Sequence, residues 1–127
     1  MIVLALLFTN VVSAQEKQKE HVVIGTATWY SNSFNGRKTA SGEIFNQQKL
    51  TCATNKFKLG SWLRVEDLAT KKFVIVRVND RMAAHPRRII DLSKAAAVEI
   101  GIIRRGSARV KIEYLGMKKP DEPDESN

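Results

Sequence analysis

The chain has 127 residues, of which 43% are hydrophobic and 27% charged, the length and balance of one small globular domain with short extensions. With 7 Gly, 3 Pro and a single cysteine, Cys52, it is neither collagen-like nor wholly disordered, and it has no internal disulfide and no cysteine-based zinc site. Only His21 and His85 offer imidazole ligands, so neither a metal nor a cofactor is expected, and the formal charge of +8 points away from cationic partners.

Residues 1–14, MIVLALLFTNVVSA, carry no charge and end in the small-x-small sequence Val12-Ser13-Ala14, the pattern of an export signal cut after Ala14. The run is too short to span a bilayer, which needs about 20 apolar residues. No cysteine lies near the cut to carry a lipid. Residues 15–21 read as a short linker.

His21 to Tyr30 (HVVIGTATWY) alternates through Val23, Gly25, Ala27 and Trp29 and predicts a strand. Residues 31–42, rich in Ser, Asn, Gly and Lys, predict an exposed loop. Trp62 to Leu68, a turn over Ala69 to Lys72, and the apolar run Phe73 to Asn79 predict a hairpin. Arg88 to Asp91 is a short strand. Ser93 suits an N-cap for a helix over Lys94 to Ile100, which Gly101 ends. Ser107 to Leu115 is a last alternating strand. Five or six strands with one short helix make the chain mainly β and suggest a closed barrel over 22–115 that leaves few edges exposed. Residues 116–127, with the acidic run DEPDESN, read as a disordered tail.

Charge is unevenly placed. Residues 21–119 hold 19 bases against 7 acids, a net of +12, a field that attracts polyanions. No helix-turn-helix, RNP or zinc-finger pattern accompanies it, so nucleic acid is not expected as a partner. For an exported chain the available polyanions are carboxylates of peptidoglycan and phosphates of outer-membrane lipid; the plain alternative is a merely soluble basic surface.

Three acids sit where loops meet strands. Glu43 follows Thr39-Ala40-Ser41-Gly42, where glycine permits a tight backbone, and stands near Phe45. Asp80 ends the strand FVIVRVN and precedes Arg81. Asp91 ends RRII just before the helix cap. Each has a structural alternative: Asp80 as an ion pair with Arg81 or a turn acceptor, Asp91 as an acid complementing the helix dipole.

The blocks GTATWYSNSFNGRKTASGE, LTCATNKFKLGSWLRVEDL, FVIVRVNDR, RRIIDLSKAAAVEIG and GSARVKIEYL, in that order over about residues 24–115, resemble the rare lipoprotein A family. The resemblance implies a six-stranded double-psi β-barrel with pseudo-twofold symmetry and lytic transglycosylase activity on peptidoglycan glycan strands. The family's acid pair falls on Glu43 and Asp80. Its histidine, in LTAAH, falls on Thr54, a hydroxyl that cannot carry an imidazole's charge or relay its proton. Its GPF after NDR is replaced by Met82-Ala83-Ala84.

For cleavage of the bond between N-acetylmuramic acid and N-acetylglucosamine without water, one carboxyl protonates the leaving oxygen and then, as a base, activates the sugar's own C6 hydroxyl, giving a 1,6-anhydro end. This differs from the two-carboxylate hydrolase. Asp80 is expected in that role, with Glu43 raising its pKa by like charge or stabilising the oxocarbenium-like transition state, and Arg81 opposing the first effect. Thr54, Arg81 and Asp91 are expected as supporting polar groups, and Trp29, Tyr30 and Phe34 as sugar-stacking faces, with core packing the alternative for Trp29. Cys52 is expected to be a buried apolar residue rather than a nucleophile. The expected protein is a monomer in the periplasm or cell envelope, without membrane span or lipid anchor, acting on glycan strands. The alternatives are a non-catalytic, expansin-like wall-binding module and a structural partner of division-site proteins.

Overall fold

The structure is a computed structural model that describes residues 22–121. The expected export signal (1–14), the linker (15–21) and residues 122–127 of the tail lie outside the described residues.

Six strands form the wall of a barrel: β1 (Val22–Trp29), β2 (Thr51–Ala53), β3 (Trp62–Asp67), β4 (Phe73–Asp80), β5 (Arg88–Leu92) and β6 (Ser107–Gly116). One helix, α1 (Lys94–Ile100), covers it. Alternation decides which side chains go in. Val74, Val76 and Val78 of β4 are buried while Phe73, Ile75 and Arg77 face outward, and Leu63 and Val65 of β3 and Val110 and Ile112 of β6 repeat the rule. The barrel core is therefore mostly valine and isoleucine, whose β-branched side chains fit a pleated, half-buried surface. The Ser93 side chain accepts the Ala96 amide at the start of α1, and Gly101 ends it in the left-handed conformation at φ 74°. The helix buries Ala96, Ala97 and Ile100.

Neighbouring strands run in the closed order β1-β5-β2-β4-β3-β6. Exchanging β1 with β4, β2 with β5 and β3 with β6 leaves that order of neighbours unchanged, so the topology is twofold pseudo-symmetric. The two parallel pairs, β1 with β5 and β4 with β2, are each other's images, and each carries one register shift, at Thr26/Ala27 and at Cys52/Ala53.

This arrangement makes the ends of β1 and β4 converge. Trp29 at the end of β1 pairs with Leu92, Leu92 pairs with Cys52, and the next residue, Ala53, pairs with Asp80 at the end of β4. The short strand β2, three buried residues, is the link between them. Its length is below what an alternating pattern can reveal, which is why the sequence reading has no separate strand there.

Two further details differ from expectation. The loop after β1 contains a 3-10 turn, Asn32–Phe34, capped by the Ser31 hydroxyl. β6 runs through Gly116, and Ser61 donates to the Met117 sulfur beyond it. Among the described residues no helix is long and apolar enough to cross a membrane.

Candidate active site

The segment Thr39–Glu43 is a tight turn closed on itself. The Thr39 amide and hydroxyl both donate to the Glu43 carbonyl, and Gly42, at φ 91°, supplies a backbone conformation open to glycine. The turn is stitched to the end of β4 by three bonds: Ser41 N–H to the Asn79 carbonyl at 3.1 Å, Ala40 N–H to Asp80 Oδ1 at 2.9 Å, and Asn79 Nδ2 to Glu43 Oε2 at 3.4 Å. Glu43 and Asp80, 37 positions apart in sequence, thus lie at one turn-to-strand junction.

Asp80 is half-buried and receives three donors: Ala40 N–H and its neighbour Arg81 N–H, both at 2.9 Å on Oδ1, and the Tyr30 hydroxyl at 2.7 Å on Oδ2. A carboxylate has about four lone-pair sites. Both on Oδ1 are occupied, so the one left over belongs to Oδ2.

Glu43 is held differently. Its Oε2 accepts Arg77 Nη2 at 2.6 Å, and its side chain remains 43% exposed. The bond from Arg77 holds its carboxyl below the usual glutamate range, with Asn79 adding to the effect, against a smaller opposing contribution from burial. Glu43 is consequently an anion at neutral pH, ion-paired with Arg77. Nothing in the alternation of FVIVRVN separates Arg77 from an ordinary solvated strand position, because its partner lies 34 residues upstream.

The other residues singled out in sequence divide between this junction and other places. Arg81 forms no ion pair with Asp80; its Nη1 donates to the Thr54 carbonyl at 2.6 Å and to the Phe57 carbonyl, bracing the loop after β2 against the end of β4. The ion-pair alternative for Asp80 is thereby corrected: a guanidinium spent on two carbonyls is not aimed at the carboxylate. Thr54 is fully buried, and its hydroxyl donates to the Ile89 carbonyl at 2.7 Å and accepts the Lys56 amide. Asp91, half-buried in β5, accepts the Thr28 hydroxyl across the parallel β1–β5 ladder.

Among the aromatics, Trp29 packs half-buried against the barrel core. Tyr30 belongs to a second small cluster with Phe45, Ala53 and Met82, its ring 4.2 Å from that of Phe45. Only 7% of Tyr30 is exposed, and its face is covered rather than offered to a sugar. What it offers is its hydroxyl. Burial, then the bond to Asp80, pushes that phenol far above its ordinary value, so it stays a donor. Phe34, on the 3-10 turn, is 41% exposed, stands edge-on to Tyr30 at 5.6 Å and lies under the Arg37 guanidinium. Met82 takes part of the space beside Tyr30, and Asn55 clamps its backbone from both sides, accepting its N–H and donating to its carbonyl. Cys52 is fully buried in the barrel core, where burial pushes its thiol far up.

The family model described as lytic transglycolase matches residues 22–112, all of the barrel but its last four residues. The chain belongs to that family. The lytic transglycolase barrel seen here is the double-psi β-barrel of the rare lipoprotein A proteins. Curated relatives named endolytic peptidoglycan transglycosylase RlpA include one from Vibrio cholerae, 41% identical over 99 residues, covering 78% of this chain and 38% of that protein. Another, from Neisseria meningitidis serogroup A, is 45% identical over 96 residues, covering 76% and 40%. A third, from Haemophilus influenzae, is 40% identical over 111 residues, covering 87% and 39%. The chain therefore spans about two fifths of the length of these relatives. Two solved structures share the fold of this lytic transglycolase domain. A Streptomyces papain inhibitor superposes with a TM-score of 0.59 at 20% identity, over 73% of this chain and 93% of its own. The apo expansin of Clavibacter michiganensis gives 0.61 at 21% identity, over 80% and 53%.

Proposed function

We propose that the chain is a peptidoglycan lytic transglycosylase of the cell envelope, cleaving glycan strands between N-acetylmuramic acid and N-acetylglucosamine to leave 1,6-anhydro ends, with Asp80 as acid and base. The observation that carries the reading is the docking of the Thr39–Glu43 turn on the end of β4, which gathers two carboxylates at one junction. The names of the relatives, all endolytic peptidoglycan transglycosylases, supply the substrate class.

The division of labour follows from the partners. The open lone pair on Asp80 Oδ2 is the seat for the transferred proton, and the Tyr30 hydroxyl and the Ala40 amide hold the carboxyl so that this pair keeps one direction. Asp80 gives the proton to the glycosidic oxygen as the bond to the anomeric carbon breaks. It then takes the proton of the C6 hydroxyl as that oxygen bonds the same carbon; one proton goes out, one returns, and no water is consumed. Glu43, kept ionised by Arg77, is suited to face the positive charge that develops on the ring and unsuited to donate a proton. Phe34, with its exposed face beside Tyr30, is the aromatic placed to touch a sugar ring.

The test is to incubate the protein with glycan strands stripped of stem peptides and to look by mass spectrometry for 1,6-anhydro ends. Wild type is expected to produce them, and Asp80→Asn, which keeps one oxygen for the Ala40 and Arg81 amides and leaves the Tyr30 hydroxyl to turn and accept from the new NH2, to lower turnover by about 100-fold or more. Binding without anhydro ends would select the non-catalytic wall module instead, and unchanged turnover in Asp80→Asn would refute the assignment of that residue.

A further inference from the structure

An open cavity of about 550 Å³ lies between the 3-10 turn, the segment Asn46–Gln48 and the start of α1. Its polar groups are oriented by a chain of bonds that starts at the backbone. The Lys94 amide donates to Gln47 Oε1 at 2.7 Å, which fixes which end of that amide is oxygen. Gln47 Nε2 then donates to the Tyr30 carbonyl at 2.9 Å and to Asn32 Oδ1 at 3.3 Å. Asn35 Oδ1 accepts the Gln47 amide at 3.1 Å, and Asn46 Oδ1 accepts the Gln48 amide at 2.9 Å. All three asparagines therefore have their oxygens engaged, and each leaves its NH2 group without a partner among the described residues. The Lys94 ammonium likewise has none. No carboxylate lines the cavity, and Ala95 and Val98 give it an apolar wall.

We infer that this cavity is a binding site for a carboxylate carried on a sugar acid or a short peptide. Four unpartnered donors and no opposing anion select a group that only accepts hydrogen bonds and carries negative charge. Hydroxyl-rich neutral sugar gains less: its donors meet chiefly the Gln48 side-chain carbonyl, and it brings no charge to the Lys94 ammonium. The volume lies in the range of small-molecule sites, larger than a bare anion needs, and the apolar wall suits a methyl group next to the carboxylate. On the reading of the protein as a wall enzyme, the sources are the lactyl group of N-acetylmuramic acid, free only where the stem peptide has been removed, or the stem peptide's own carboxylates. Since Gln47 holds the Tyr30 carbonyl while the Tyr30 hydroxyl holds Asp80, one residue joins this cavity to the acid.

The test uses the full chain and calorimetric titration with three probes: the disaccharide N-acetylglucosaminyl-N-acetylmuramic acid with its lactyl carboxylate free, the same disaccharide bearing the alanyl-glutamyl stem, and neutral N,N′-diacetylchitobiose. The linkage within these disaccharides is not the one the enzyme is proposed to cut, so binding is read without turnover. At least one acidic probe is expected to bind about tenfold or more tighter than chitobiose, and the tighter of the two names the source. Asn46→Asp keeps the acceptor for the Gln48 amide and turns the NH2 into an oxygen anion; it should erase that preference with the Tm unchanged, and Lys94→Gln should reduce it. Equal binding of all three probes, or a preference that survives Asn46→Asp, overturns the inference. That failure alongside continued production of 1,6-anhydro ends leaves the catalytic reading standing, while a retained preference without anhydro ends does the reverse.

Discussion

Tyr30 and Glu43 show how two side chains of similar apparent importance act through opposite means. The Tyr30 hydroxyl is a neutral donor on Asp80 Oδ2, held by a ring packed on Phe45. Tyr30→Phe keeps that packing and removes one bond to a charged acceptor, worth about 1.5–3 kcal/mol. Turnover is expected to fall about 10- to 100-fold with KM unchanged, because the loss is in the aim of the carboxyl and not in contact with the strand. Since burial and Asp80 keep the phenol protonated, the wild-type pH–rate profile should lack a tyrosine limb on its alkaline side, and kcat against pH for the two proteins checks this. Glu43 works as a charge. Its carboxyl is lowered in the fold by Arg77, so the stability it adds is present above the ordinary glutamate value and is lost as pH falls through the lowered one. With 43% of its side chain exposed, that contribution stays below about 1 kcal/mol. Thermal melts of wild type and Glu43→Gln should differ most near neutral pH and converge as pH falls below the ordinary glutamate range; a gap that widens on acidification would contradict the pairing with Arg77.

At the scale of elements, the β3–β4 hairpin carries a local cost that can be removed. Lys71, in the turn between its strands, sits at φ 67°, the only described non-glycine residue with a positive φ. An L-residue in that region loses about 1 kcal/mol to contacts of its Cβ. Lys71→Gly trades part of this against the greater freedom of an unfolded glycine. We expect a net gain of about 0.5 kcal/mol and a Tm rise of about 2–4 °C by calorimetry. The same hairpin shows what is legible in sequence: WLRVED and FVIVRVN alternate strictly because one face meets the core and the other water, and period two survives any tertiary detail. β2 is not legible, since its three residues are all buried and an uninterrupted apolar triplet has no period. For the site, the acids could be read because each ends a recognisable segment, the turn at Gly42 for Glu43 and the valine strand for Asp80. Their partners could not. Arg77 and the Tyr30 hydroxyl are recruited across 34 and 50 positions by barrel closure, and Arg81, adjacent to Asp80 in the chain, turns instead to the carbonyls of Thr54 and Phe57.

Across the whole molecule, the excess of 19 bases over 7 acids in residues 21–119 predicts how the protein meets an anionic polymer. Of the acids, Glu43, Glu66 and Asp67 are paired with Arg77, Arg64 and Arg105, so three guanidiniums are spent internally and the rest of the basic side chains contribute to the outward field. Insoluble peptidoglycan is a dense carboxylate network, and attraction of this kind acts over about 10 Å at 0.1 M salt but only about 3 Å at 1 M. The fraction of protein pelleting with it should therefore fall steeply between low and high salt. Contacts at the carboxylate cavity and around Phe34 are shorter in range and screened less, so a residual salt-resistant fraction is expected, and Lys94→Gln should reduce that fraction more than it changes the salt-sensitive part. Replacing stripped glycan strands, whose lactyl groups keep their charge, by neutral chitin of similar chain length should abolish the salt-sensitive part altogether. Equal pelleting on both polymers at every salt concentration would mean that the positive surface serves solubility alone and that recognition of the wall resides wholly in the short-range contacts.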